Sequence, residues 1–143
     1  MNEQKNINWH SAMVNALEIT LDPYRDQLSY QKEFPLANGP RRIDCLVRRQ
    51  ANAPPIDLHI AAIFRQYNII DYKSPHESMN IQNFYKVLSY AYSLPDFFQD
   101  DNILTETTIS LVSNHYPEKL THHLKQQYAS GTDSFSKDKP KKL

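Results

Sequence analysis

The spacing of apolar positions along the chain changes several times, and each change marks an element. From Trp9 to about Leu21, the residues Trp9, Met13, Ala16, Leu17 and Leu21 recur near helical spacing. Asn8 is placed to cap the first turn of that helix, and Asp22-Pro23 to close it. Leu28 to Leu36 alternates instead, with Leu28, Tyr30, Lys32 and Phe34 on one side of an extended segment. Arg42 to Arg48 is a second extended run. The Asn38-Gly39 dipeptide between the two predicts an antiparallel hairpin, because such a pair readily takes the positive φ of a tight turn. Gln50 to Pro55 is polar and proline-containing and reads as a surface loop, leading into a short helix over Leu58 to Gln66.

Asn68 to Lys73 is β-branched and aromatic and predicts a third strand. Ser74-Pro75 stops it, since proline has no amide proton for a ladder. Ile81, Phe84, Tyr85, Leu88 and Tyr92 recur at three and four residues, which predicts a helix with one broad apolar face ending by Pro95. Thr107 to Ser113 is a last strand, and Pro117 opens a helix from Glu118 to about Gln127. A strand, helix, strand passage implies parallel pairing through a right-handed crossover, whereas the hairpin is antiparallel. The expected fold is therefore α/β, a central mixed sheet of about four strands flanked by helices in two or three layers. A chain of 143 residues suits one domain. That domain is expected over residues 1–129, with the polar, lysine-rich stretch 130–143 as a disordered tail.

Composition narrows the chemistry. Lys and Arg number 16, as do Asp and Glu, so bulk charge does not announce a polyanion-binding protein. Local pairs such as Arg41-Arg42 and Arg48-Arg49, and the lysines of the tail, could meet phosphates or simply be solvated. Cys45 is the single cysteine, which excludes an internal disulfide framework and any multi-cysteine zinc site and fits a reducing, cytoplasmic setting. No apolar run approaches the ~20 residues of a membrane span, and the polar start lacks the core of a secretory signal. Two glycines, Gly39 and Gly131, are too few for a glycine-rich phosphate cradle.

Three charged residues stand where apolar ones are expected. Asp71 and Lys73 are two apart on the third strand and so share a face, next to Ile69 and Ile70. Asp44 interrupts the apolar run Ile43-Asp44-Cys45-Leu46-Val47. If the two strands are neighbours, the acids converge. Two adjacent carboxylates repel unless a cation sits between them. Hard oxygen donors suit Mg2+ or Mn2+, which can polarise a phosphate while a nearby lysine orients water or offsets charge. The plainer alternative is a strand-end ion pair for Asp71 and Lys73, with Asp44 as a solvating group at the hairpin edge. His115, His122 and His123 do not form a spaced ligand set, because neighbours on a helix diverge by about 100 degrees. Ser74 lacks a glycine-flanked elbow, and Cys45, among Ile43, Leu46 and Val47, reads as a core residue.

These residues resemble the PD-(D/E)XK nuclease superfamily, whose pattern is an acid, a gap, then acid-x-lysine. Arg42-Ile43-Asp44 and Ile70-Asp71-Tyr72-Lys73 carry the resemblance, with Ile43 where the family often has proline. Phe64-Arg65, Asn68 to Pro75 and Asn83-Phe84-Tyr85-Lys86 are similar to a bacterial branch of uncharacterised and transposase-associated proteins. The resemblance implies a restriction-endonuclease-like core and a metal-dependent nuclease that hydrolyses DNA phosphodiester bonds. It implies Asp44 and Asp71 as Mg2+ or Mn2+ ligands and Lys73 as the water-positioning lysine. Glu18 is similar in placement to an acid that some branches add. Lys86 and Tyr90 have the spacing of a Gln-x-x-x-Tyr pattern, with lysine replacing glutamine, on a side of the helix away from its main apolar face. DNA is the expected partner, and a second copy of the chain is a further one. Two alternatives stay open: a catalytically inactive module of the same fold that binds nucleic acid or a protein, and an interaction protein displaying aromatics such as Tyr24, Tyr90, Tyr92, Phe97 and Phe98.

Overall fold

A computed structural model describes residues 8–36 and 41–128. The Asn38-Gly39 turn and the stretch 130–143 lie outside the described residues. Helix α1 spans Trp9–Thr20, strands β1 Leu28–Pro35 and β2 Arg42–Arg49, strand β3 Tyr67–Tyr72, helix α2 Ile81–Phe98, strand β4 Thr107–Val112 and helix α3 Glu118–Tyr128. The four strands form one sheet in the order β1-β2-β3-β4. β1 and β2 are antiparallel, as are β2 and β3, while β3 and β4 are parallel. The mixed sheet follows from the connections: a hairpin reverses direction, and the α2 crossover restores it.

Apolar side chains cover both faces of the sheet, giving three layers. On one face Leu46, Tyr67 and Ile69 pack beneath Val87, Tyr90, Ala91 and Leu94 of α2. On the other Cys45, Val47 and Ile70 meet Val14, Leu17 and Leu21 around α1. Burying a side chain such as Leu46 or Ile69 contributes about 1.5–3 kcal/mol. α3 sets Leu120 and Leu124 against Met79, Ile81 and Phe84 near the start of α2. No helix among the described residues is long and apolar enough to cross a membrane.

Caps and turn residues fix the boundaries. Asn8 accepts a hydrogen bond from the Ser11 N–H at 3.1 Å, as the sequence predicts. Asn80 and Asn83 cap α2 reciprocally, at 2.9 and 3.1 Å. Three expectations are corrected. The segment from Leu58 to Gln66 contains only a short 3-10 turn, His59–Ala61. Arg65 instead clasps Asn68, whose side chain is buried and bonded to Arg65 N and O, Val47 O and Thr108 Oγ1. Second, α2 runs through Pro95 to Phe98. Proline removes one donor, but Phe98 gains a stack on Phe34 at 5.8 Å and a contact with Tyr67 at 5.1 Å, so tertiary packing holds the last turn. Third, the buried face of α2 is turned from the predicted one. Tyr85 and Tyr92 are 47% and 64% exposed, and Val87, Tyr90, Ala91 and Leu94 are the core residues.

One local irregularity positions the chemistry. Along β1 and β2, Leu28, Tyr30, Cys45 and Val47 face α1, yet Phe34, Leu36 and Ile43 belong to the α2 side. The exchange of faces falls at Glu33 and Asp44, where Glu33 takes the left-handed region at φ 48°. The flanking pairs Lys32 with Cys45 and Phe34 with Ile43 keep the same register, so the strand pair twists without an inserted residue. Asp44 therefore sits at the point where β2 changes face, not within either apolar layer.

Candidate metal centre

β2 and β3 are hydrogen-bonded neighbours whose register includes Cys45 opposite Ile70 and Leu46 opposite Ile69. One step further along that antiparallel register, Asp44 stands opposite Asp71. The two carboxyls act on one another there, the charge and hydrogen bonding of Asp44 both favouring the protonated form of Asp71. Asp44 also accepts from the Tyr72 backbone N–H, with Oδ2 3.0 Å away. The carboxylate thus ties the end of β2 to β3 beyond their last backbone pair.

Asp71 is 8% exposed on an interior strand, with its register partner Leu111 on β4. Burial, followed by the charge of Asp44 and the hydrogen bond to it, pushes its carboxyl up from 3.8 to about 7, while Lys73 and Lys86 pull it down. The protonated acid is the form the metal-free fold prefers. Its contribution to stability is complete below about pH 4 and disappears as pH rises through about 7. Chemical denaturation in EDTA at a series of pH values should therefore show stability falling from pH 5 to pH 8. A flat or rising profile over that window would contradict the crowding of the two acids.

Lys73 follows the strand end and is held extended by its N–H bond to Val112 O on β4 at 2.9 Å. Its amine lies 3.9 Å from Glu77 Oε2, a long contact in which Lys73 is 16% exposed and Glu77 52%. Glu77 is itself held by the Ser74 hydroxyl at 2.8 Å, and that bond first, then the charge of Lys73, keeps its carboxyl below the usual range. Ser74-Pro75 therefore ends β3 and also folds back an acid that tethers the lysine.

The residues proposed from sequence divide clearly. Asp44 and Asp71 stand opposite one another, and the charges of Lys73 and Lys86 both act on Asp71. Glu18 stands elsewhere: it lines a shallow concavity with Asn15, Ile19 and Asp22, and its charge acts on Tyr30 and Cys45. Tyr90 corrects the expectation that it lies away from the apolar face of its helix, since it is a core residue of α2, 2% exposed. Cys45 is also core; burial pushes its thiol up to about 12, which suits packing and not nucleophilic attack.

His10 is the residue that sequence reasoning missed. From the first turn of α1 its Nε2 lies 3.2 Å from Tyr72 O and 3.4 Å from Asp44 Oδ2. A carbonyl can only accept, so Nε2 carries the proton and donates. Its ring meets Tyr72 edge-on at 6.1 Å between centroids. Among the remaining histidines, His123 Nε2 is 3.2 Å from the Tyr85 hydroxyl, away from any acid pair.

Among the described residues, no three or more His, Cys, Asp and Glu side chains are arranged to hold a metal ion by themselves. Two carboxylates suit a hard ion that keeps waters and completes its shell with a substrate's oxygens, the habit of Mg2+. The raised carboxyl of Asp71 marks the negative charge such an ion would balance. Compared with protein-family models, curated proteins and solved structures, the chain matches none.

Proposed function

We propose that the chain is a metal-dependent nuclease of the PD-(D/E)XK type, with a restriction-endonuclease-like core, that hydrolyses DNA phosphodiester bonds. The observation that carries the reading is the placement of Asp44 opposite Asp71 on neighbouring strands, with Lys73 just past the end of β3. The order α1, hairpin, β3, α2, β4 is consistent with such a core.

A divalent cation held by Asp44 and Asp71 would supply Lewis acidity toward a phosphate oxygen and acidify a water. The Tyr72 N–H fixes the orientation of Asp44 by donating to Oδ2, with His10 Nε2 3.4 Å from the same oxygen, leaving its other oxygen for the ion. Lys73, tethered by Glu77, presents three donors beside the acids, where it would orient the attacking water and offset charge developing on the phosphate. The acid pair lies at the carboxyl end of β3, where open α/β sheets commonly bind ligands.

Purified protein incubated with plasmid DNA is expected to nick or linearise it with Mg2+ or Mn2+ and to leave it intact in EDTA. Tight DNA binding without cleavage under any divalent ion would instead favour the inactive binding module. Neither binding nor cleavage would remove DNA as the substrate.

A further inference from the structure

We propose that the outer edge of β4 pairs with the same edge of a second copy of this chain, so that the two sheets join into one. The inference is independent of the nuclease reading. β4 is the last strand of its sheet, with β3 on one side only. The Lys73 N–H donates to Val112 O at 2.9 Å, so Val112 turns its carbonyl toward β3. Main-chain groups alternate between the two edges of a strand in a parallel ladder. Thr108 and Ser110 therefore turn theirs to β3 as well, while Thr107, Ile109 and Leu111 turn theirs outward. Among the described residues no other strand takes up that outward row. All six residues of β4 are half-buried, which leaves the edge open to a partner.

The two edges of the sheet differ. β1, at the other end, carries the devices that stop edge pairing: exposed Lys32 and Glu33, the positive φ of Glu33, and Pro35. β4 reads Thr-Thr-Ile-Ser-Leu-Val, with no charge, no proline and no positive φ. An edge of that composition is a template for another strand. Arg65 donates to Thr105 O and so brings the segment with exposed Ile63 to the turn with exposed Leu104, just before β4. The open edge continues into apolar surface, as association sites do.

A second copy fits this edge by symmetry. A two-fold axis normal to the sheet, between the two copies of Ile109, makes the strands antiparallel and keeps their faces in common. Ile109 then stands opposite its own copy, Thr107 opposite Leu111, and Thr108 opposite Ser110. All three outward-turned residues find partners, at two hydrogen bonds a pair. Ile109 and Leu111 stay on the α2 side of the joined sheet, where they already pack. The hydroxyls of Thr108 and Ser110 meet on the other face, and no like charges are opposed. Because β1 is blunted, assembly closes at two copies and does not grow into a filament.

The test uses the full chain. Equilibrium sedimentation from about 1 to 100 μM should give twice the chain mass at the upper end. Ser110→Lys sets a lysine into the joined face and should raise the dimer dissociation constant about tenfold or more, with the circular dichroism of the fold retained. Ile109→Cys should form a covalent dimer on oxidation with copper phenanthroline, its two copies being about 5.5 Å apart between Cα atoms, within disulfide reach. Thr107→Cys should not, because it lies four residues, or about 13 Å, out of step with its own copy. Cys45 is buried, so wild type supplies the background. If Ser110→Lys fails to fold, the two cysteine variants decide alone. A monomer throughout the concentration range, a dimer that Ser110→Lys leaves intact, or crosslinking at Thr107 in preference to Ile109 overturns the edge pairing.

Discussion

Replacing Asp71 with asparagine is expected to abolish metal-dependent cleavage and, in the same variant, to make the metal-free protein more stable at pH 8. The two effects have one cause. Asp71 is buried beside Asp44, and its carboxyl resists ionisation until about pH 7. At pH 8 it is charged, desolvated and opposed by its neighbour, which costs stability. Asparagine removes that charge at nearly the same volume and can donate to Asp44. The expected gain is on the order of 2 kcal/mol at pH 8, shrinking as pH falls below about 7 and vanishing below about pH 4, where the acid is protonated in the folded and the unfolded chain alike. Cleavage should fall by about 10³-fold or more, because one of two anionic ligands is gone. Denaturant unfolding in EDTA, run beside plasmid cleavage in Mg2+, checks both. A variant that loses cleavage without gaining stability at pH 8 would mean that the acids are not crowded in the folded chain.

A charge that costs stability where apolar residues are expected is what marks these residues as candidates in the sequence. Asp71 and Lys73 were legible because a strand alternates: two charged residues two apart, beside Ile69 and Ile70, break an apolar pattern on one face. Asp44 was legible for the same reason, and its convergence with Asp71 followed once the hairpin and the third strand were taken as neighbours. The parallel β3–β4 pairing followed from the strand, helix, strand passage.

What escaped has a physical reason in each case. His10 acts through Tyr72 and Asp44, far along the chain, and nothing local distinguishes a histidine in a first helical turn that reaches a strand end from one that is solvated. The buried face of α2 was misjudged because Tyr85 and Tyr92 count as apolar in a periodic pattern although their hydroxyls accept solvent, whereas small Ala91 and Val87 define the true contact with the sheet. That rotation also decided Tyr90, which went to the core while Lys86 remained outside. Pro95 failed to end its helix because Phe98, one residue short of the Gln99 cap, had Phe34, Tyr67 and the Arg48 guanidinium at 4.7 Å to pack against. The switch of faces at Glu33 was invisible, since a glutamate with positive φ has no mark of its own in sequence.

Lys73→Ala separates the two ways in which this lysine could serve the site. Its charge lowers the proton affinity of Asp71, so part of its effect at pH 7 would come through the acid, by keeping it ionised for the metal. At pH 9 that indirect part vanishes, because Asp71 is ionised with or without its neighbour. A lysine that acts on the reaction itself should still be missed there. Cleavage by Lys73→Ala is accordingly expected to stay about 10²- to 10³-fold below wild type at pH 9, with Mn2+ affinity restored to within a few-fold. Initial rates on plasmid DNA and Mn2+ titration by electron paramagnetic resonance, each at pH 7 and pH 9, provide the comparison. Recovery of the wild-type rate at pH 9 would reduce Lys73 to a group that holds Asp71 ionised. The attacking water would then have to be oriented by another donor, for which His10, hydrogen-bonded to Tyr72 O with its Nε2 3.4 Å from Asp44 Oδ2, is the candidate.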